Sequence, residues 1–428
     1  MSQKDSSDDV VKEWFGQLPE GWLLQRLRTL GRFSSSGIDK KTVEGEPLVR
    51  MVNYTDVYGN STLELRNSPD YMVVSCPANK AEEHGLVQGD MLFTPSSETP
   101  EDIGVSAVVM EDLDNTVYSY HITRFRMRDE ISLRYRKYLC NHPRVLRQFS
   151  RLCKGTTRQI LVREDFKSAW VAIPPTKQHD RIAGYLDEAT GKVDRLVALR
   201  RRQMELLREQ RAALIQQAVT RGLNPNVPLK HSGLPWLGQI PKHWEVKPVK
   251  YIFVSLDGRR VPLSGADRQL MTKREYDYYG ASGVIDRVDD FIFDETLILL
   301  GEDGANLLNR STPLAFLATG KYWVNNHAHI LKPRRGLMEY LVHLLETVDF
   351  APFVEGSAQP KLTLEKLMSV KVPEPPLNEQ RQILDFIEEQ NAKTDRLLSA
   401  YTRQLELLTE YRAALIHECV TGQRAVPA

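Results

Sequence analysis

The sequence holds four cysteines, Cys76, Cys140, Cys153 and Cys419, and no two stand in a C-x-x-C spacing. Their scarcity and scatter argue against a disulfide framework or a zinc site, and fit a reducing cytoplasm. No stretch approaches the roughly 20 apolar residues of a membrane span. The polar start, Met1-Ser2-Gln3-Lys4-Asp5-Ser6-Ser7-Asp8-Asp9, lacks the apolar stretch of a signal peptide, so residues 1–16 read as a disordered lead-in. Net charge is also nearly absent, at +1 from 57 basic and 56 acidic residues. Such a balance does not announce a nucleic-acid binder, although it can hide local asymmetry.

Signatures of catalysis are missing as well. Asn224-Pro225-Asn226-Val227 lacks the second proline and the aromatic of an adenine methyltransferase tetrad. Thr190-Gly191-Lys192 lacks the upstream glycine of a phosphate-binding loop, and His417-Glu418 has no second histidine to complete a zinc-protease motif. Pro69-Asp70 and Glu365-Lys366 are only fragments of a nuclease carboxylate cluster. The expectation is a chain with no catalytic site, no metal site and no cofactor of its own.

What is present is length, a basic run and a repeat. At 428 residues, with 41% hydrophobic and 26% charged content, the chain has material for two or three cores. Arg126, Arg128, Arg134, Arg136, Lys137, Arg144, Arg147, Arg151, Lys154 and Arg158 crowd between Arg124 and Arg163. Taken alone, such a run is a solvated face. The repeat is stronger: Gly155–Thr220 aligns without a gap on Gly356–Thr421, and about 26 of about 66 positions are identical. Shared pieces include Val193-Asp194-Arg195-Leu196 with Thr394-Asp395-Arg396-Leu397, and Arg211-Ala212-Ala213-Leu214-Ile215 with Arg412-Ala413-Ala414-Leu415-Ile416.

Each copy passes through a Pro-Pro pair, which suits a helix start and no later position. Apolar residues then recur at spacings of three and four: Ile182, Leu186, Val193, Leu196, Leu207, Leu214 and Ala218, then Ile383, Ile387, Leu397, Tyr401, Leu408, Leu415 and Cys419. That is a coiled-coil seam. Gly222 and Gly422 stand where a helix-stopping glycine is expected. Each helix spans about 45 residues, on the order of 65 Å. Two copies in one chain satisfy each other most simply as an antiparallel pair.

Gln17-Leu18-Pro19-Glu20-Gly21-Trp22 also matches Gln239-Ile240-Pro241-Lys242-His243-Trp244, so each half opens alike. The organisation expected is lead-in 1–16, block one 17–154, helix 155–221, linker 222–238, block two 239–355, helix 356–422 and tail 423–428. The blocks carry short β-type runs, Pro47–Tyr54, Gly89–Phe93, Asp290–Phe293 and Thr296–Leu300, between Gly, Asp and Pro. The fold class expected is α+β: two blocks separated by two long helices in a pseudo-two-fold arrangement. Divergent blocks on a common frame suit a reader of two different ligands.

Gly356–Thr363 with Val372–Gln380, Ser232–Trp244, Tyr279–Ile285 and Leu300–Ala305 resemble the specificity subunit of type I restriction–modification systems, over nearly the whole chain. The resemblance implies two target-recognition domains, each reading half of a split site in double-stranded DNA, with the helices setting the spacer. It implies as partners two methyltransferase subunits and restriction–translocation subunits, which would hold S-adenosylmethionine, ATP and Mg. Copy one departs from the pattern at His179, where copy two has Gln380, and at Thr156-Thr157-Arg158, where copy two has Ser357-Ala358-Gln359. A helix start capped differently is therefore expected.

DNA contact needs Arg, Lys, Asn or Gln for base edges, and small polar or basic groups for phosphates. In block one the candidates are Asn53, Tyr54, Ser96, Ser97, Arg124, Lys154, Thr156, Thr157 and Arg158. In block two they are Arg274, Tyr278, Tyr279, Ser282, Gly283, Asn306, Arg310, Ser357, Gln359 and Lys361. Ser282 and Gly283 read equally well as a simple turn, and the tyrosines equally well as core. His121 and His327 occupy matching segments and are expected to be buried structural histidines. The rival readings are a coiled-coil scaffold, a methyltransferase fused to its own reader, and a stand-alone repressor of a split site.

Overall fold

The computed structural model describes residue 9 and residues 14–128, 131–356 and 359–427. It forms two compact units: Met1–Arg200 with Thr402–Ala428, and Arg201–Tyr401. The division falls inside both long helices, where the sequence placed boundaries at the helix ends. The helices run Thr176–Arg221 and Leu377–Val420. Both begin just after their Pro-Pro pairs. Both stop before a glycine in the left-handed region, Gly222 at φ 74° and Gly422 at φ 71°.

In unit one, a five-stranded sheet runs in the order Gly31–Ser34, Thr123–Met127, Asp90–Phe93, Ser106–Val109, Glu64–Leu65. Its last pair is parallel and the others antiparallel. A smaller sheet places Leu48–Val52 antiparallel to Met72–Ser75 and parallel to Thr116–Tyr118. Helices Leu133–Leu139 and Pro143–Leu152 cover one face of the larger sheet. Ile182 and Leu186 of the first long helix join that core, with Leu415, Ile416 and Cys419 of the second. Phe15 is fully buried there, and Arg147 and Arg151 stack over Trp14 at 5.4 and 4.4 Å. The lead-in expected over 1–16 thus ends before Trp14, because an apolar pair found a hydrophobic site; residues 1–8 and 10–13 lie outside the described residues.

Unit two repeats this plan. A four-stranded antiparallel sheet runs Phe253–Ser255, Ala328–Pro333, Leu297–Gly301, Ala315–Ala318. In the second sheet, Tyr276–Gly280 pairs antiparallel with Gly283–Val288 and parallel with Lys321–Val324. Ala218 and Val219 of the first long helix share the core with Ile383 and Ile387 of the second. Of the expected runs, Asp290–Phe293 contributes a strand only at Phe293–Asp294. Asp290 instead uses its carboxylate to hold the Phe291 N–H.

The two units use equivalent residues for equivalent tasks, and those within the helical repeat lie at the constant shift from 155 to 356. Arg412 meets Asp194 at 3.0 Å in unit one, and Arg211 meets Asp395 at 2.9 Å in unit two. The Tyr135 hydroxyl donates to the Val420 carbonyl (3.5 Å), and the Tyr340 hydroxyl to that of Val219 (3.1 Å). Leu23–Arg26 pairs with Trp170–Ile173 as Glu245–Pro248 pairs with Lys371–Glu374. The opening tryptophans reach the helix stops: a Cβ on Gly422 would press on Pro19 and Trp22, and one on Gly222 on Trp244.

The helix start of copy one is not built differently. The Ser132 N–H donates to His179 Nδ1 (3.2 Å), and His179 Nε2 meets the Pro174 carbonyl (3.0 Å). In copy two the Leu337 N–H donates to Gln380 Oε1 (2.9 Å), and Gln380 Nε2 donates to the Pro375 carbonyl (2.9 Å). A neutral imidazole and a carboxamide both offer one acceptor and one donor, so they are interchangeable here. The seam differs from the pattern read in the sequence: Leu196 and Leu397 are exposed, while the positions beside each block are buried.

Candidate nucleic-acid interface

The basic run of block one mostly serves the fold. Arg126 pairs with the buried Asp90 (2.7 Å), Arg134 with Asp187 (2.7 Å), and Lys137 with both Glu64 (2.9 Å) and Asp187 (2.6 Å). Arg124 belongs with them. It is buried, its guanidinium donates to Ser34 Oγ and to the carbonyls of Gly85 and Glu83, and it lies over Tyr118. Those bonds turn it away from any external phosphate.

Lys154, Thr156, Thr157 and Arg158 are all exposed, in a tight turn closed by the Lys154–Ile160 bridge. Gly155 makes the turn possible: at φ 138°, a Cβ there would lie 1.9 Å from the Arg158 carbonyl oxygen. Gln159–Ile160 pairs with Ser96–Ser97, which are buried. Tyr54 stacks on Tyr58 at 5.2 Å and lies beside Ser97. Burial pushes the Tyr54 hydroxyl above its ordinary value, with Tyr58 acting the same way, while Ser97 and Arg158 oppose. Asn53 is buried; its backbone is capped by Asp56, and its Nδ2 lies 3.5 Å from Met72 Sδ. The structure therefore brings together Tyr54, Ser96, Ser97, Lys154, Thr156, Thr157 and Arg158.

In block two the candidates scatter. Tyr278 is core, with its hydroxyl on Leu263 and its ring under Arg268. Asn306 spans its own loop, bonding both the N–H and the carbonyl of Thr312. Arg310, at φ 51°, turns back over Phe350 and donates to the carbonyls of Glu346 and Val348, closing the end of helix Met338–Thr347. These three fall inside the fold because each polar group found a local partner. Tyr279 packs on Phe316 and Tyr322. Arg274 is exposed and pairs with Asp286 at 3.0 Å. Ser282 and Gly283, at φ 122°, form the hairpin turn, and Val284 and Ile285 beyond it are half exposed. Gln359 and Lys361 are exposed; Ser357 lies outside the described residues.

The histidines also differ from expectation. His121 and His327 are partly exposed, and it is His329 that is buried. His329 Nδ1 lies 2.6 Å from Asp257 Oδ2 and its Nε2 lies 2.7 Å from the Leu362 carbonyl. The ring thus sits between a carboxylate and a backbone carbonyl. Arg260 bonds Glu302, and Lys361 Nζ reaches Glu302 at 3.2 Å. Burial works to raise the carboxyls of Asp257 and Glu302, but His329, Arg260 and, at Glu302, Lys361 outweigh it and hold both below their ordinary range. Asp257, Glu302 and His329 converge closely enough for a metal ion, yet Arg260 and Lys361 already take up the carboxylate charge. The network clamps the loop carrying Gln359 and Lys361 against the sheet, aided by the bond from Gly304 N–H to the Pro360 carbonyl. Sequence reading missed it, since its members are far apart in the chain.

Residues 241–407 match the family model of the type I restriction modification DNA specificity domain. A Haemophilus influenzae protein described as a type I restriction enzyme specificity subunit is 32% identical over 152 residues, 35% of this chain and 38% of that protein's own length. One from Methanocaldococcus jannaschii, also described as a specificity subunit, is 21% identical across 97% of this chain and 96% of its own. Among solved structures, a chain from work on complex assembly of the type I R-M system superposes with TM-score 0.67 at 18% identity, over 95% of this chain and 100% of that one. The HsdS subunit of Thermoanaerobacter tengcongensis gives 0.50 at 15% identity, over 95% and 98%. These likenesses carry the fold.

Proposed function

We infer the role from kinship: the chain belongs with the type I restriction–modification specificity subunits, and it supplies DNA sequence specificity in such a system. In the finer reading, each block reads one half of a split site, and the two long helices form an antiparallel, pseudo-two-fold pair that sets the unread spacer. The observation carrying this is the reciprocal pairing of equivalent residues, Asp194 with Arg412 and Asp395 with Arg211. Half-sites read from one side of B-DNA lie about one turn, roughly 34 Å, apart. Helices of 46 and 44 residues are long enough to set such a separation.

The chain is read as non-catalytic. Two methyltransferase subunits and restriction–translocation subunits would assemble on it, bringing S-adenosylmethionine, ATP and Mg. The target adenine would be flipped into the methyltransferase. Among the described residues no helix is long and apolar enough to cross a membrane, and a cytoplasmic site of action follows from the DNA substrate. The test is to co-express the chain with the methyltransferase encoded beside it and map methylated adenines by sequencing. A bipartite motif is expected; no methylation, or an uninterrupted motif, overturns the reading. Exchanging block two should change one half of the motif only.

A further inference from the structure

Block one contains an open cleft beside its glycine turn. Its volume is about 500 Å³, and its lining includes Ser96, Tyr120, His121, Arg158, Ile160 and Arg163. Equivalence with block two is set by backbone bonds: Leu161 N–H donates to the Pro95 carbonyl as Leu362 N–H donates to that of Glu302 (both 2.8 Å). Position 95 therefore answers to 302, and Ser96 to Asp303. In block two, His327 is bound by Asp303 at 2.7 Å and Glu302 anchors the charged network. In block one the same places hold Ser96 and Pro95, so neither residue offers the matching His121 a carboxylate.

The cleft lining combines two chemically distinct features. Tyr120 lies over His121 with ring centroids 3.8 Å apart, and Tyr120 is 46% exposed, a flat aromatic face open to solvent. Arg158 and Arg163 are exposed, and no carboxylate among the described residues forms an ion pair with either. The local field is positive: burial lowers the His121 imidazole first, then Arg158 and Lys40 push the same way, with Asp39 opposing. Block two has Asn326 where block one has Tyr120, so the stacking face is absent there.

We propose that this cleft holds an unstacked nucleotide, its base against the Tyr120–His121 face and its phosphate between Arg158 and Arg163. An aromatic platform beside unpaired guanidinium groups is the arrangement by which unpaired nucleic acid is held without base-specific contacts. The proposal rests on the DNA-recognition reading and adds that block one, unlike block two, takes a nucleotide out of the stack. The ligand has two possible sources, a nucleotide within a DNA strand and a free nucleotide, which share this chemistry.

The experiment titrates the full chain with a short single-stranded deoxyoligonucleotide carrying one 2-aminopurine, whose fluorescence is quenched on stacking. Wild type is expected to bind and quench. Tyr120→Ala should weaken binding at least about fivefold, while Tyr120→Phe stays near wild type. Arg158→Ala should weaken it and lower the salt dependence by about one charge. Tyr251→Ala, on the exposed surface of block two, should bind as wild type. Unchanged denaturant midpoints keep these comparisons independent of folding. Competition by adenosine monophosphate assigns the cleft to free nucleotides; no competition assigns it to a strand. Absence of probe binding, or Tyr120→Ala and Arg158→Ala both binding as wild type, overturns the proposal. A bipartite methylation motif obtained alongside that result would leave the DNA-recognition reading standing and remove only the cleft.

Discussion

Blocks one and two share strand order and helix docking, yet they finish the same corner in opposite ways. Block two fills it with Asp257, Arg260, Glu302, His329 and Lys361, and thereby clamps its glycine turn. Block one leaves the corner open, and its Lys154–Arg158 turn is held by uncharged contacts: the Lys154–Ile160 bridge, the bond from Gln159 Nε2 to the Gly155 carbonyl, and the pairing of Gln159–Ile160 with Ser96–Ser97. The difference teaches that the frame tolerates either solution, because the backbone bonds at positions 161 and 362 close the sheet in both. Side chains at this corner are then free to diverge.

The sharpest way to break the comparison is Asp257→Ala. It removes the buried acceptor of both His329 Nδ1 and the Ile330 N–H, and a loss of about 3–5 kcal/mol is expected in denaturant unfolding. Thr123→Val, at the place in block one that answers to His329, should cost no more than about 1 kcal/mol. Equal losses would end the claim that only block two depends on a charged corner.

Acid should separate the units next. In unit one, burial, then His417 and Arg144, hold the fully buried His142 down to about 3, and His417 is lowered as well. The unfolded imidazole titrates near 6.5, so below that pH the unfolded chain takes up protons that the folded unit refuses. Unit one should therefore lose stability as pH falls from about 6.5, by a few kcal/mol in all, and His142→Leu should remove much of that slope. In unit two, the lowered carboxyls of Asp257 and Glu302 give stability that is present above the ordinary carboxylate range and lost as pH falls through it. Burial lowers His343 there too, with Glu346 opposing. Hydrogen exchange resolved by unit across pH 4–7 checks the order; unit two opening first would reverse it.

Removing the helix-docking hydroxyls is a smaller perturbation. Tyr340→Phe should cost about 1 kcal/mol, and Tyr135→Phe less, since its bond to Val420 is the longer. His179→Gln should stay within about 1 kcal/mol of wild type, because Gln380 shows that a carboxamide meets the same two backbone groups. A larger loss would mean that packing against Tyr135, which stacks on His179 at 5.2 Å, matters more than the bonds. The smallest effects belong to Asp194→Ala and Asp395→Ala, each about 0.2–1 kcal/mol, matched to one another and fading in salt.

Much of this was legible in the chain. The helix repeat predicted two long helices, their proline starts and their glycine stops, and the Trp22 and Trp244 repeat marked where each block opens. The exposed turn at Lys154–Arg158 was readable too, since Gly155 in a short polar run has few other uses. Arg124, Tyr278, Asn306 and Arg310 all turn toward partners within the fold. A residue type suited to DNA is equally suited to bonding a nearby carbonyl or ring, and composition does not distinguish the two. The charged corner and the cleft were illegible, since Asp257 and His329 meet across 72 positions.

The sequence by itself determined the helices, their caps and their duplication, because helical periodicity and capping are settled within a few neighbouring residues. Only the tertiary structure decided which basic groups are consumed inside the fold and which stay free, and that block one keeps an open cleft. Those outcomes depend on partners brought together from distant strands, and a charge becomes available only when no carboxylate arrives beside it.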